Sequence, residues 1–178
     1  MQRQTETVQF KVAVMPVDIL RAIQEGQTLA EAAEALCREV EEALPGAACS
    51  LMSVDDHGRA HPVAGPSLPQ ALRSAFGGLS IGPMVGSCGS AIATRKPVEA
   101  AEIATDPRWT HYAALPLSFG LQACWSTPIL AKDGRALGAF ALYFKEVRSH
   151  TEHEAEIVQA TVAQLAPAME RDRILAAA

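Results

Sequence analysis

Apolar positions along this chain fall into two rhythms. Leu29, Ala33, Leu36, Val40 and Leu44 recur at helical spacing and make one apolar stripe. Thr28 and Glu31 ahead of them form a capping box, in which hydroxyl and carboxylate each satisfy an orphan N–H of the first turn. Pro45-Gly46 ends that helix. Residues 17–23 add helix before it, so helix from about Val17 to Leu44 is expected on the N-terminal flank. A second capping box, Thr151 with Glu154, precedes Ile157, Thr161 and Leu165, flanked by Val158 and Val162. It predicts a long amphipathic helix that continues to about Leu175.

The second rhythm is that of strands. Residues 48–54, 59–65, 121–130 and 136–144 read as four of them. Asp55 to Gly58 turns the first into the second, and Pro62 weakens the second or places it at an edge. Asp133-Gly134 joins the last two as a hairpin. Ser67 and Gln70 are positioned to cap a short helix ending at Gly77-Gly78, and another helix starts after Gly86. Asp106-Pro107 opens a helical stretch through RWTHYAALPLSF that Gly120 closes, with Pro116 shortening its last turn. The fold class is therefore α+β, an antiparallel sheet with helices gathered on one face. Residues 1–16 read as a disordered lead-in or tag remnant, and 17–175 as a single domain.

Composition narrows the function. Of 178 residues, 49% are hydrophobic and 20% charged, enough for one buried core. The net charge of −5, with Lys and Arg scattered, gives no basic patch for nucleic acid. No apolar run reaches the ~20 residues that span a bilayer, and the N-terminus lacks a secretory h-region. A cytoplasmic chain is expected, its cysteines (Cys37, Cys49, Cys88, Cys124) reduced thiols. They show no CxxC spacing, so no structural zinc site is expected.

GSCGSA (86–91), EIATDPRW (102–109) and QACWSTPILAKDGRALGAFALYF (122–144), followed by the capped terminal helix, resemble a GAF domain over roughly residues 20–172. The resemblance implies terminal helices on one face of the sheet and a helical and loop lid, about 77–120, over a small-molecule pocket on the other. It also implies a sensory role upstream of an output domain, which is expected elsewhere in the parent protein. In this family the terminal helices pair between subunits, so a homodimer is expected, with alanines (Ala30, Ala32, Ala33, Ala35; Ala160, Ala163, Ala166) permitting close approach.

Two readings meet at Cys88: a small buried residue between glycines, or a thiol activated at a helix N-terminus. On the strand, Gln122, Cys124 and Ser126 share one face. By the resemblance, the position four before Pro128, Cys124, faces the pocket. Cys88, Trp109, Tyr112, Cys124 and Ser126 are thus the expected ligand-binding set, with Cys88 and Cys124 a possible redox pair. The ligand is an unidentified small molecule, and the sequence names no cofactor and no catalytic residue. GSCGSA is also similar to the GVCGTA-like motif of free methionine-(R)-sulfoxide reductases. That branch places a carboxylate where this chain has Cys124, and an Asp after another lid cysteine; neither is present. A degenerate GAF acting only in dimerisation is the further alternative. His111 is either a haem ligand or a solvent-facing residue. Cys88 is followed by Gly89 rather than His, which argues against a bilin, and the NKFDE-type residues of cyclic-nucleotide binders are missing.

Overall fold

The strand that organises the sheet is β6 (Ala136–Phe144), bonded along one edge to β1 (Ala47–Val54) and along the other to β5 (Ala123–Leu130). The computed structural model describes residues 17–178; the lead-in expected over 1–16 lies outside the described residues. β2 (Arg59–Ala64) pairs with β1, β3 (Leu79–Ser80) with β2, and β4 (Val98–Ala100) with β5, giving one antiparallel sheet in the order β3-β2-β1-β6-β5-β4. Both strands of the predicted Asp133-Gly134 hairpin form, and β6 has the bounds read from the sequence. The two-residue β3 and three-residue β4 are too short to leave a period-2 pattern. β3 reaches only Arg59 and Ala60, so Pro62 sits where β2 is an edge.

Alternation along the strands builds two cores. Cys49, Leu51, Trp125, Ile129, Phe140 and Leu142 face α1 (Ile19–Gln24), α2 (Leu29–Ala43) and α6 (Glu152–Ala176). Met52, Val54, Cys124, Ala139, Ala141 and Tyr143 face the lid of α3 (Gln70–Ala75), α4 (Gly86–Thr94), a 3-10 turn at Pro107–Trp109 and α5 (Ala114–Ser118). Both capping boxes form, Glu31 N donating to Thr28 Oγ1 at 3.1 Å and Glu154 N to Thr151 Oγ1 at 3.2 Å. Among the described residues no helix is long and apolar enough to cross a membrane.

Four local expectations are corrected. The N-terminal flank is two helices, because Gly26 at φ +105° turns the chain between them. Ser67 does not cap α3, which begins after Pro69; its hydroxyl donates instead to Glu41 at 2.6 Å, a charged acceptor on α2. RWTHYAALPLSF is not one helix, so Trp109 and Tyr112 share no helix face. Pro116 lies in the first turn of α5, where its missing N–H costs no helical bond, rather than shortening the last.

The sheet is tightest at Gly138 of β6, where a Cβ would lie 1.9 Å from the Met52 carbonyl oxygen on β1. A backbone atom cannot rotate away as a side chain can. Gly138→Ala should therefore destabilise by about 3 kcal/mol or more, while Gly134→Ala, with open space around it, should cost about 1 kcal/mol through its positive φ. Urea midpoints of the two variants check the contrast.

Candidate functional site

α4 carries the thiol that the sequence singles out. Gly86 starts this helix at φ +59°, and a Cβ there would also stand 3.5 Å from the Trp109 ring. The next residue, Ser87, receives the Trp109 indole N–H at 2.9 Å and donates to the Cys124 carbonyl at 3.5 Å. Trp109 is 1% exposed, edge-on to Phe76 at 6.2 Å and to Tyr143 at 6.4 Å between ring centres. This indole pins the lid loop to α4, and α4 to the sheet.

Below α4 the floor is made of small residues. Ser50, Ala141 and Ser126 stand in register across β1, β6 and β5, all on the lid face. Cys88 therefore descends onto Ser126: its Sγ lies 3.0 Å from Ser126 Oγ, and Cys124 Sγ lies 3.8 Å from the same hydroxyl. Both thiols are buried, at 8% and 1% exposure. Ser50 Oγ is buried and has no hydrogen-bond partner.

The pKa values of the two sulfurs are shifted in opposite directions. The neighbouring Cys124 thiol, with the Ser126 hydroxyl, favours the Cys88 thiolate and draws its pKa below the ordinary value against the opposing effect of burial. Burial, then the adjacent Cys88, pushes Cys124 well up. Burial likewise raises Cys37 and Cys49, which lie in the helix-side core, and Tyr143.

Of the residues expected to bind a ligand, Cys88, Trp109 and Tyr112 line one hollow with Met52, Phe76 and Tyr143. Cys124 and Ser126 are not in its wall but beneath it, against Cys88. The hollow measures about 30 Å³, space for a water-sized molecule. His111 is exposed and outside this lining, its ring beside Tyr112. Ser50, Ser87 and Tyr143 escaped the sequence reading. Alternation puts Ser50 on the Met52 face, but only the strand register sets it beside Ser126.

Thiols buried in neutral form couple stability to pH. Cys37, Cys49 and Cys124 have folded pKa values above the ordinary 9.0, so their stability contribution is whole below pH 9 and is lost as pH rises past it. The free energy of unfolding from urea titrations should fall between pH 9 and pH 10.5, by up to about 1.4 kcal/mol per thiol per pH unit, and Cys37→Ala should flatten that fall.

The GAF-domain sequence profile matches residues 26–170. The methyl sulfide methyltransferase-associated sensor of Methanosarcina acetivorans is 32% identical over 142 residues, covering 79% of this chain and 14% of that protein. The chain thus spans about one seventh of this curated relative. The GAF domain of the Coxiella burnetii phosphoenolpyruvate-protein phosphotransferase superposes with a TM-score of 0.70 at 22% identity, covering 90% of this chain and 93% of that one. The type II free methionine-R-sulfoxide reductase of Thermoplasma acidophilum superposes with a TM-score of 0.66 at 14% identity, covering 80% and 92%. At these identities the two structures speak for the fold, and the matched profile, spanning both capped flanking helices, the GSCGSA helix and the C-terminal hairpin, makes the chain a member of the GAF-domain family.

Proposed function

We propose that this GAF domain is a non-catalytic sensory module that registers thiol redox state at the seam between α4 and the sheet. In the reducing cytoplasm its resting form would carry two thiols there. One observation carries the reading: Cys88 and Cys124 bracket a single buried hydroxyl, Ser126 Oγ. A lowered pKa on one thiol and a raised one on the other suit a nucleophile and its resolving partner. The sensor named among its relatives supports the same role. A hollow of about 30 Å³, against the roughly 300 Å³ and more of organic-ligand pockets, favours this arm over metabolite binding. The lining contains no carboxylate among the described residues, which weighs against sulfoxide reduction.

A mechanical route to the output helix is at hand. The Arg108 guanidinium donates to the Glu99 carbonyl on β4 at 2.7 Å, one residue before Trp109. The Glu99 carboxylate bonds the His150 ring and accepts from the His150 N–H at 3.3 Å, directly ahead of the α6 N-cap. His150 stacks on Trp125 at 3.7 Å. Movement of the lid would thus reach α6 through Glu99. Exposed Ala30, Ala163, Ile174 and Leu175 on the terminal helices support pairing with a second copy, through which the output domain would be addressed.

Refolding from urea in mixtures of oxidised and reduced dithiothreitol makes every thiol reachable. Two of the four free thiols should be lost reversibly, mass spectrometry should find Cys88 linked to Cys124, and amide exchange should rise at 98–100 and 150–154. A protein that keeps four thiols in the most oxidising mixture would sink the redox reading. Sedimentation velocity should give a dimer that Ala163→Glu with Ile174→Glu converts to a folded monomer.

A further inference from the structure

The seam also says which oxidant it admits. Among the cavities described, the one lined by Cys88 is the small hollow, walled chiefly by apolar and aromatic side chains such as Met52, Phe76, Ile81, Val85 and Trp109, with Ser80 and Ser87 among its hydroxyl-bearing members. No charged side chain lines it. Its volume of about 30 Å³ holds one or two non-hydrogen atoms. A tripeptide disulfide or a bulky organic hydroperoxide is too large, and an anion would lose its hydration against an apolar wall with no compensating charge.

Beside Cys88, on the sheet floor, stands a polar group with nothing to bond. Ser50 is 7% exposed and its hydroxyl has no partner. It lies on the face of β1 that carries Met52, in register with Ser126 through Ala141. An unsatisfied buried hydroxyl costs stability unless something arrives to bond it. An oxygen gained by the Cys88 sulfur would supply that partner.

We propose that the oxidant is a neutral hydroperoxide of the size of hydrogen peroxide, reduced at Cys88 Sγ, with Ser50 the positioning residue that holds the oxygenated sulfur for Cys124. This rests on the thiol-pair reading above. The Cys88 thiolate attacks one peroxide oxygen; the S–O bond forms as the O–O bond breaks, sulfur loses two electrons, and the departing hydroxide takes a proton to become water. The Cys124 sulfur, giving up its proton, then attacks the Cys88 sulfur. The S–S bond forms as the S–O bond breaks, and the hydroxide leaves as a second water. In sum, two thiols and one hydrogen peroxide give one disulfide and two waters.

The test uses the native full chain, without urea. Stopped-flow tryptophan fluorescence would follow oxidation by hydrogen peroxide, cumene hydroperoxide and glutathione disulfide, since Trp109 adjoins the seam. Hydrogen peroxide should react at least about tenfold faster than cumene hydroperoxide, and glutathione disulfide should not react. In Cys124→Ser, mass spectrometry should find one oxygen gained, on Cys88, and dimedone should label that position once the oxidised protein is unfolded in urea. Ser50→Ala should slow disulfide formation by peroxide about tenfold, the loss of the hydrogen bond to the oxygen gained by Cys88, while its urea midpoint stays level or rises because an unsatisfied hydroxyl is gone. Equal rates for the two hydroperoxides, or a Ser50→Ala protein oxidised as fast as its parent, would overturn the assignment. In that event the disulfide obtained by refolding in dithiothreitol would still stand, so failure of the oxidant assignment is separable from failure of the thiol pair.

Discussion

The approach of α4 to the middle of the sheet sets the terms for everything above it. A helix can come this close only where the strands present short side chains, and Ser50, Ala139, Ala141 and Ser126 do so on the lid face. On its lid side the helix is tight as well: at Gly89 a Cβ would sit 2.9 Å from that of Val85, and at Gly86 3.5 Å from the Trp109 ring. Because the surfaces meet at short range, the first side chain long enough to bridge them, Cys88, is driven onto Ser126. The same closeness leaves little room for a guest, and the large rings of Trp109, Phe76 and Tyr143 take up what remains.

Such packing changes what a GAF pocket can report. A spacious cavity discriminates by the shape of its ligand, and binding energy moves the lid. A filled seam offers less of such a handle, and on the redox reading proposed above the signal enters by altering a bond already present. Converting Cys88 and Cys124 into the proposed disulfide would remove their hydrogen bonds to Ser126 and fix the distance between α4 and β5. Close-packed interfaces respond to that kind of change by shifting as units rather than by yielding locally. The polar links Trp109–Ser87 and Arg108–Glu99–His150 then matter because they join otherwise separate parts of the lid to the start of α6.

The two cysteine pairs make an internal comparison. Cys37 and Cys49 are as buried as Cys88 and Cys124, yet both have raised pKa values, with the Glu41 carboxylate adding to the effect of burial. Around Cys88 the nearby groups are neutral hydroxyls and a thiol, which can donate to a thiolate without repelling it. Burial thus raises Cys37, Cys49 and Cys124 alike, and only at Cys88 do neighbouring donors outweigh it.

Periodicity and capping residues in the sequence determined the fold class, both long helices, the principal strands and the shared face of Cys124 and Ser126, because each depends on neighbours within a turn or a pleat; that this face is the pocket side came from the family resemblance. They also put Cys88 at the head of a helix. Where β3 and β4 pair, that Ser67 turns to Glu41, that RWTHYAALPLSF splits, and that the hollow is nearly full were tertiary decisions. Each turns on partners distant in the chain, and a local pattern carries no information on which strand will lie alongside. Ser50 shows the limit most plainly: alternation fixes its face, but its place beside Cys88 exists only once β1 has registered on β6 and α4 has folded down onto both.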